Sequence, residues 1–119
     1  MITREWAHEF ASEWIAAWNS HEVERVLEHY TDDFEMSSPF IAAFAGEGSG
    51  TLRGKASVGA YWRVALERIP DLHFELLDVF TCIDSVTIYY RAVQGKLATE
   101  VFFFSPELKA YKALAHYND

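Results

Sequence analysis

Trp6, Phe10 and Trp14 recur every four residues between Thr3 and Asn19, with Ala7, Ala11, Ile15 and Trp18 beside them. That is the spacing of one helical face, so a helix is expected over 3–19 with Thr3 as its cap. Asn19-Ser20 interrupts the pattern, and Ser20 is expected to cap a shorter helix through His29 that turns Val23, Val26 and Leu27 inward. Asp32-Asp33 is turn chemistry. Phe34 to Ser38 then alternates apolar and polar as a half-buried strand does, and Pro39 ends it. Gly46, Gly48, Ser49 and Gly50 make 41–53 read as a mobile loop. Lys55 to Arg68 is a third helix, with Val58, Tyr61, Trp62, Ala65, Leu66 and Ile69 along its apolar side, stopped by Pro70-Asp71.

Beyond Leu72 the period changes from helical to two. Strands are expected at 72–82, 86–93, 97–104 and 109–117, separated by Asp84-Ser85, Gln94-Gly95 and Ser105-Pro106-Glu107. Separators this short make consecutive strands antiparallel neighbours. The layout of helix, helix, strand, helix and four-strand meander is α+β, with helices gathered on one face of a curved antiparallel sheet. One domain over 1–119 accounts for the whole chain. Val101 and Phe103 point to one face of their strand and Phe102 and Phe104 to the other. An apolar second face on a small sheet calls for a cover, most simply a second copy of the chain.

Half of the 119 residues are hydrophobic and 16% are aromatic, enough for a core and for the walls of a pocket. The net charge of −8, with no run of Lys or Arg, argues against nucleic acid and against an anionic membrane surface. Cys82 is the single cysteine, which excludes an intramolecular disulfide. Residues 1–6 lack the apolar run of a signal peptide, and no uncharged stretch reaches the length of a membrane span. A cytoplasmic location is therefore expected.

Several motifs fail on inspection. His21-Glu22-Val23-Glu24-Arg25 begins like a zinc-protease helix but carries Arg where the second His belongs, and His8 to Ser12 fails in the same way. His29, His73 and His116 show no ligand spacing, so no metal is expected. Gly54-Lys55 lacks the upstream glycine and the following Ser/Thr of a phosphate loop. Gly46, Gly48 and Gly50 lie in no βαβ unit, so no cofactor is expected.

The run from Trp14 to Glu22, then Tyr30-Thr-Asp-Asp-Phe34, Ser38-Pro39, Leu52-Arg-Gly-Lys55, Pro70 to Phe74, Glu100 to Ser105 and Ala115-His116-Tyr117 resembles the NTF2-like superfamily, and within it the SnoaL-like branch. The likeness spans nearly the whole chain. It implies a cone-shaped curved antiparallel sheet wrapped around helices, an internal pocket opening at the wide end, and a homodimer through the outer sheet face. The functions it implies range from isomerisation, cyclisation, epoxide hydrolysis and dehydration to non-catalytic binding or assembly, so fold alone leaves function open. Against the ketosteroid isomerase relatives, Ser38 stands where the resemblance implies a general-base Asp, and a serine hydroxyl needs a base of its own. Trp14 stands in place of an oxyanion-hole Tyr; its indole donates but does not ionise. Glu100 matches an Asp held neutral by an apolar site.

Glu100 is the leading catalytic candidate, because a carboxyl on an apolar face has its pKa raised unless it is paired. A hairpin through Gln94-Gly95 would bring Tyr89 and Arg91 onto its face, Tyr89 as a catalytic partner. Two readings of the group stand together: a polar cluster at a pocket floor, or a structural Arg91–Glu100 pair. Trp14, Trp18, Met36, Ser38, Phe40, Tyr61, Trp62, Arg91, Phe102 and Ala115 are candidate ligand contacts, and ordinary core packing explains the large ones equally well. His73 and His116 read as structural or surface histidines. The expected ligand is a small hydrophobic molecule; the alternative is a dimeric module without catalysis.

Overall fold

The hydroxyl of Thr3 accepts the Trp6 N–H at 3.1 Å and so starts the first helix, α1 (Arg4–Ser20). The computed structural model describes residues 1–118. The buried face of α1 is the one its periodicity predicts: Ala7, Phe10, Ala11, Trp14, Ile15, Ala17 and Trp18. A left-handed His21 ends it, its N–H returning to Trp18 O at 3.0 Å. The next helix, α2 (Val23–Leu27), is shorter than expected and begins at Glu22 without a side-chain cap. Ser20 does not cap it; its Oγ donates to Ala17 O and accepts the Glu22 N–H, closing the turn between the helices.

Strand β1 (Tyr30–Ser37) begins four residues before the expected start. Asp32 and Asp33 are exposed residues in an irregular stretch of this strand, not a separating turn, and the register shifts between Tyr30 and Glu35. The loop expected at 41–53 contains two further elements. Ser38 accepts the Phe40 N–H at 3.2 Å and Pro39 supplies a ready-made first residue, giving α3 (Pro39–Phe44). Strand β2 (Thr51–Arg53) then pairs antiparallel with β1. Gly50, at φ +74°, accepts the Ser38 N–H on its carbonyl and so ties this excursion back to the end of β1. Helix α4 (Lys55–Arg68) matches its expected bounds.

The meander consists of β3 (Glu75–Thr81), β4 (Ser85–Arg91), β5 (Leu97–Phe104) and β6 (Ala110–Tyr117). Strand β3 starts three residues late because Asn19 takes the place of a ladder partner: its amide donates to Phe74 O at 3.0 Å and accepts the Phe74 N–H at 2.7 Å. The six strands run in the order β2-β1-β6-β5-β4-β3. All neighbours are antiparallel except β1 and β6, which are parallel and come from opposite ends of the chain.

Helix α1 lies across the inner face. Phe10 meets Phe102 and Phe104 edge-on at 5.0 and 4.9 Å, and Trp14 meets Tyr90 and Phe102 edge-on at 5.3 Å. From α4, Trp62 packs on Trp18, Tyr30 and Phe34. Rings therefore fill the centre of the cone. On the outer face Leu97, Val101, Phe103 and Leu114 are half-buried, while Phe80 and Tyr111 are 54% and 47% exposed.

Candidate functional site

Two rows of inward side chains cross the meander. One reads Leu76, Tyr90, Ala98, Tyr117 and the next Val79, Ile88, Glu100, Ala115. Glu100 is thus on the inner face, which it shares with Phe102 and Phe104; alternation alone left open which face of the sheet that was. Its partners are not the predicted ones. The β4–β5 connection is a five-residue loop containing a 3-10 turn (Val93–Gly95), with Gln94 at φ 58°, and it pairs Arg91 with Leu97. A two-residue turn would have paired Arg91 with Ala98. That single-residue slip turns Tyr89 and Arg91 to the outer face and brings Tyr90 in. Tyr89 therefore pairs with Thr99 across the outer face, and Arg91 is exposed and ion-paired to Glu75 at 3.4 Å. The structural Arg91–Glu100 pair is excluded by the same register.

Glu100 is 3% exposed. Tyr90 Oη donates to its Oε1 at 3.3 Å. Burial pushes the carboxyl up from 4.5 to about 8, with the Tyr90 bond pulling the other way, so at neutral pH most of it is uncharged. Burial, and after it the charge Glu100 would carry, raises Tyr30, Tyr90 and Tyr117 as well. Trp14 Nε1 donates to Tyr30 Oη at 2.9 Å. Tyr117, on the far side of the small Ala98, interacts with the hydroxyls of Tyr90 and Ser38.

Strand β1 leaves the sheet after Ser37 pairs with Leu114, and the chain turns into α3. The split opens a cleft of about 310 Å³, walled by Ser38, Ala42, Ser49, Gly50, Ala115 and their neighbours. Carrying the β1–β6 register on by one residue sets Ser38 beside Ala115, in the row of Glu100. Ala115, which lines the cleft, is the β6 neighbour of Glu100. A second hollow, about 480 Å³, lies on the solvent side of α1 among His8, Glu9, Ser12 and Glu13. It is larger and more open, and Glu100 is not among its lining residues.

The remaining candidates divide. Ser38 and Ala115 wall the cleft. Phe40 packs tilted against Tyr117 at 4.5 Å, and half-buried Tyr61 acts on Tyr117 electrostatically. Trp14, Trp18, Met36, Trp62 and Phe102 are core, 0–6% exposed. The Nε1 of Trp18 is buried without a hydrogen-bond partner among the described residues. His116 is exposed at the cleft rim, and His73 is exposed elsewhere. Sequence reasoning missed Tyr30, Tyr90 and Tyr117. The alternation Val86, Ile88, Tyr90 marks an inward Tyr90, but its register against β5 depends on loop length. Among the described residues no three His, Cys, Asp or Glu side chains gather as metal ligands, and no helix is long and apolar enough to cross a membrane.

Residues 11–107 match the family model described as a SnoaL-like domain. A SnoaL-like protein of unknown function from Burkholderia thailandensis is 56% identical, with a TM-score of 0.96 over 99% of this chain and 98% of that one. An NTF2-like protein of unknown function from Cytophaga hutchinsonii shares the fold at 12% identity and a TM-score of 0.73, over 99% of this chain and 92% of that one. So does SalBIII, an epoxide hydrolase/cyclase-like enzyme of pyran ring formation in the polyether salinomycin, at 17% identity and 0.76, over 99% and 95%. Comparison with curated proteins gives no match.

Proposed function

Since the chain belongs to the SnoaL-like domain family, we propose that it binds a small, largely apolar organic molecule in the cleft at the mouth of its cone. Glu100 serves that site as a neutral acid, for proton-transfer chemistry of the isomerase, cyclase or dehydratase type. The observation that carries this reading is Glu100 itself: a buried carboxyl that, among the described residues, is hydrogen-bonded by a tyrosine and by no cation. Burying such a group destabilises a fold, and a carboxyl kept protonated near neutrality is the form that can supply a proton or a hydrogen bond to a neighbouring site. The cleft walls are serine hydroxyls and apolar groups with His116 at the rim and no Lys or Arg among the lining residues, which suits an uncharged ligand better than a carboxylate or phosphate. Ring closure of the kind SalBIII takes part in is chemistry that a neutral acid near a ligand cleft can assist.

The working unit in this reading is a homodimer joined through the outer sheet face, where Phe80, Val101, Phe103 and Leu114 offer an apolar surface. The free, exposed Cys82 suits the cytoplasm. A second reading, a dimeric module without catalysis, is favoured by Ser38, which stands where the ketosteroid isomerase relatives carry a general-base Asp, and by the ring-filled centre of the cone.

A thermal-shift screen of hydrophobic carbonyl compounds and phenols against wild type, Glu100→Gln and Ala115→Leu tests the proposal. A ligand at one hundred times its dissociation constant adds about 2.7 kcal/mol. Stabilisation of wild type that is weakened in Glu100→Gln and lost in Ala115→Leu is expected. Stabilisation by no compound, or equal stabilisation of all three proteins, refutes the cleft as the site.

A further inference from the structure

The cleft and the buried acid do not touch. Ser38 and Ala115 wall the cleft, and Glu100 lies behind Ala115 in the same row. What spans the gap is a set of hydroxyls. Tyr90 Oη bonds Glu100 Oε1 at 3.3 Å. Tyr90 and Tyr117 flank Ala98 from the two neighbouring strands, and their hydroxyls interact across it. Tyr117 in turn interacts with Ser38, and Phe40 packs against its ring at 4.5 Å in a tilted arrangement.

We infer, building on the cleft reading above, that Tyr117 presents the site's hydrogen-bonding group to a ligand and that Glu100 acts on it from behind through Tyr90. Tyr90 and Glu100 are positioning residues in this arrangement. A chain of hydroxyls has a direction, and the acid at its closed end sets it. When Glu100 is neutral, its O–H needs an acceptor, and Tyr90 Oη is in reach. Tyr90 then donates to Tyr117, and Tyr117 turns its O–H toward Ser38 and the cleft. When Glu100 is a carboxylate, Tyr90 donates to it, Tyr117 donates to Tyr90, and the cleft meets a phenol lone pair. The site therefore receives ligands through an acceptor oxygen (a ketone, aldehyde, ether or epoxide) while the acid is neutral, and loses that preference once it ionises.

The groups that face this chain are few. Tyr90 on β4, Tyr117 on β6 and Tyr30 on β1 face Glu100, and Tyr61 on α4 faces Tyr117. All four are phenols that burial keeps neutral in the range where Glu100 titrates. Trp14 and Phe40 do not titrate. Among the described residues, burial and the Tyr90 hydroxyl are what act on the Glu100 carboxyl.

The test needs no ligand. The protein is labelled with carbon-13 at tyrosine Cζ, and its resonances, assigned by Tyr→Phe substitutions, are followed from pH 6 to 10. The Tyr90 and Tyr117 signals are expected to move together with one midpoint, and both movements disappear in Glu100→Gln. In Tyr90→Phe the Tyr117 signal is expected to stand still. A Tyr117 signal that stays fixed while Tyr90 moves, that still moves in Tyr90→Phe or Glu100→Gln, or an absence of any transition overturns the inference. The two proposals fail separately. Compounds that bind the cleft while Tyr117 stays fixed leave the cleft reading standing, and a coupled titration in a protein that binds nothing leaves the relay standing without a ligand site.

Discussion

Replacing Glu100 by glutamine removes a titrating group while keeping nearly its shape, and the difference between the two proteins should depend on pH with a definite sign. In the unfolded chain the carboxyl ionises near 4.5; in the folded protein it holds its proton to about 8. Between those values the folded state binds more protons than the unfolded state, so wild type loses stability as pH rises. Below 4.5 the group is neutral in both states and has no effect, and above about 8 the loss is complete. Each pH unit inside the window removes up to about 1.4 kcal/mol, which makes the loss between pH 5 and pH 8 about 3 to 4 kcal/mol. That is a large share of the roughly 5–15 kcal/mol expected of a domain. No discount for solvent applies, because the side chain is 3% exposed. The assay is urea unfolding of both proteins at fixed concentration, followed by tryptophan fluorescence at each pH from 5 to 9. The stability of Glu100→Gln relative to wild type should rise by about 1 kcal/mol per pH unit up to about pH 8 and then level off. A constant difference would mean that Glu100 titrates normally and is hydrated or paired. A difference that falls with pH would mean an ion pair, and the reasoning about a neutral buried acid would be wrong.

Other outcomes follow from the same packing. Phe102→Ala, at a fully buried ring that touches Phe10, Trp14 and Tyr30, should cost about 3–5 kcal/mol in chemical denaturation. Asn19→Ala removes both hydrogen bonds to the Phe74 backbone and should cost about 2 kcal/mol, with faster amide exchange concentrated at the start of β3. Arg63→Ala, which breaks an exposed ion pair with Glu24, should change stability by about 0.5 kcal/mol or less, and a larger effect would point to packing by its stem. A charge at the centre of the outer face, Val101→Glu, should reduce a dimer to a monomer by light scattering while leaving the circular dichroism unchanged; an unaltered mass would exclude this face as the contact.

The sequence by itself determined the elements whose information is local. A four-residue recurrence of large rings is enough to specify α1. The bounds of α4 and β5 follow from an apolar stripe and a strict alternation, because neither depends on a partner. Alternation also set Glu100 on the same face as Phe102 and Phe104, and the acid was legible for that reason. Tertiary structure decided everything that depends on pairing. Tyr90 rather than Tyr89 meets Glu100 because the loop from Ala92 to Lys96 closes with Gln94 and Gly95 at positive φ, and one residue of loop length inverts every side chain of β4 relative to β5. The 41–53 segment carries glycines that signal a loop, yet Ser38 and Pro39 start a helix there, and β2 forms because β1 offers it an edge. The cleft exists where β1 leaves β6, a parallel pairing between opposite ends of the chain that no local pattern records. Side-chain periodicity fixes which way a residue points; what it points at is fixed by strands that are distant in sequence and adjacent in space.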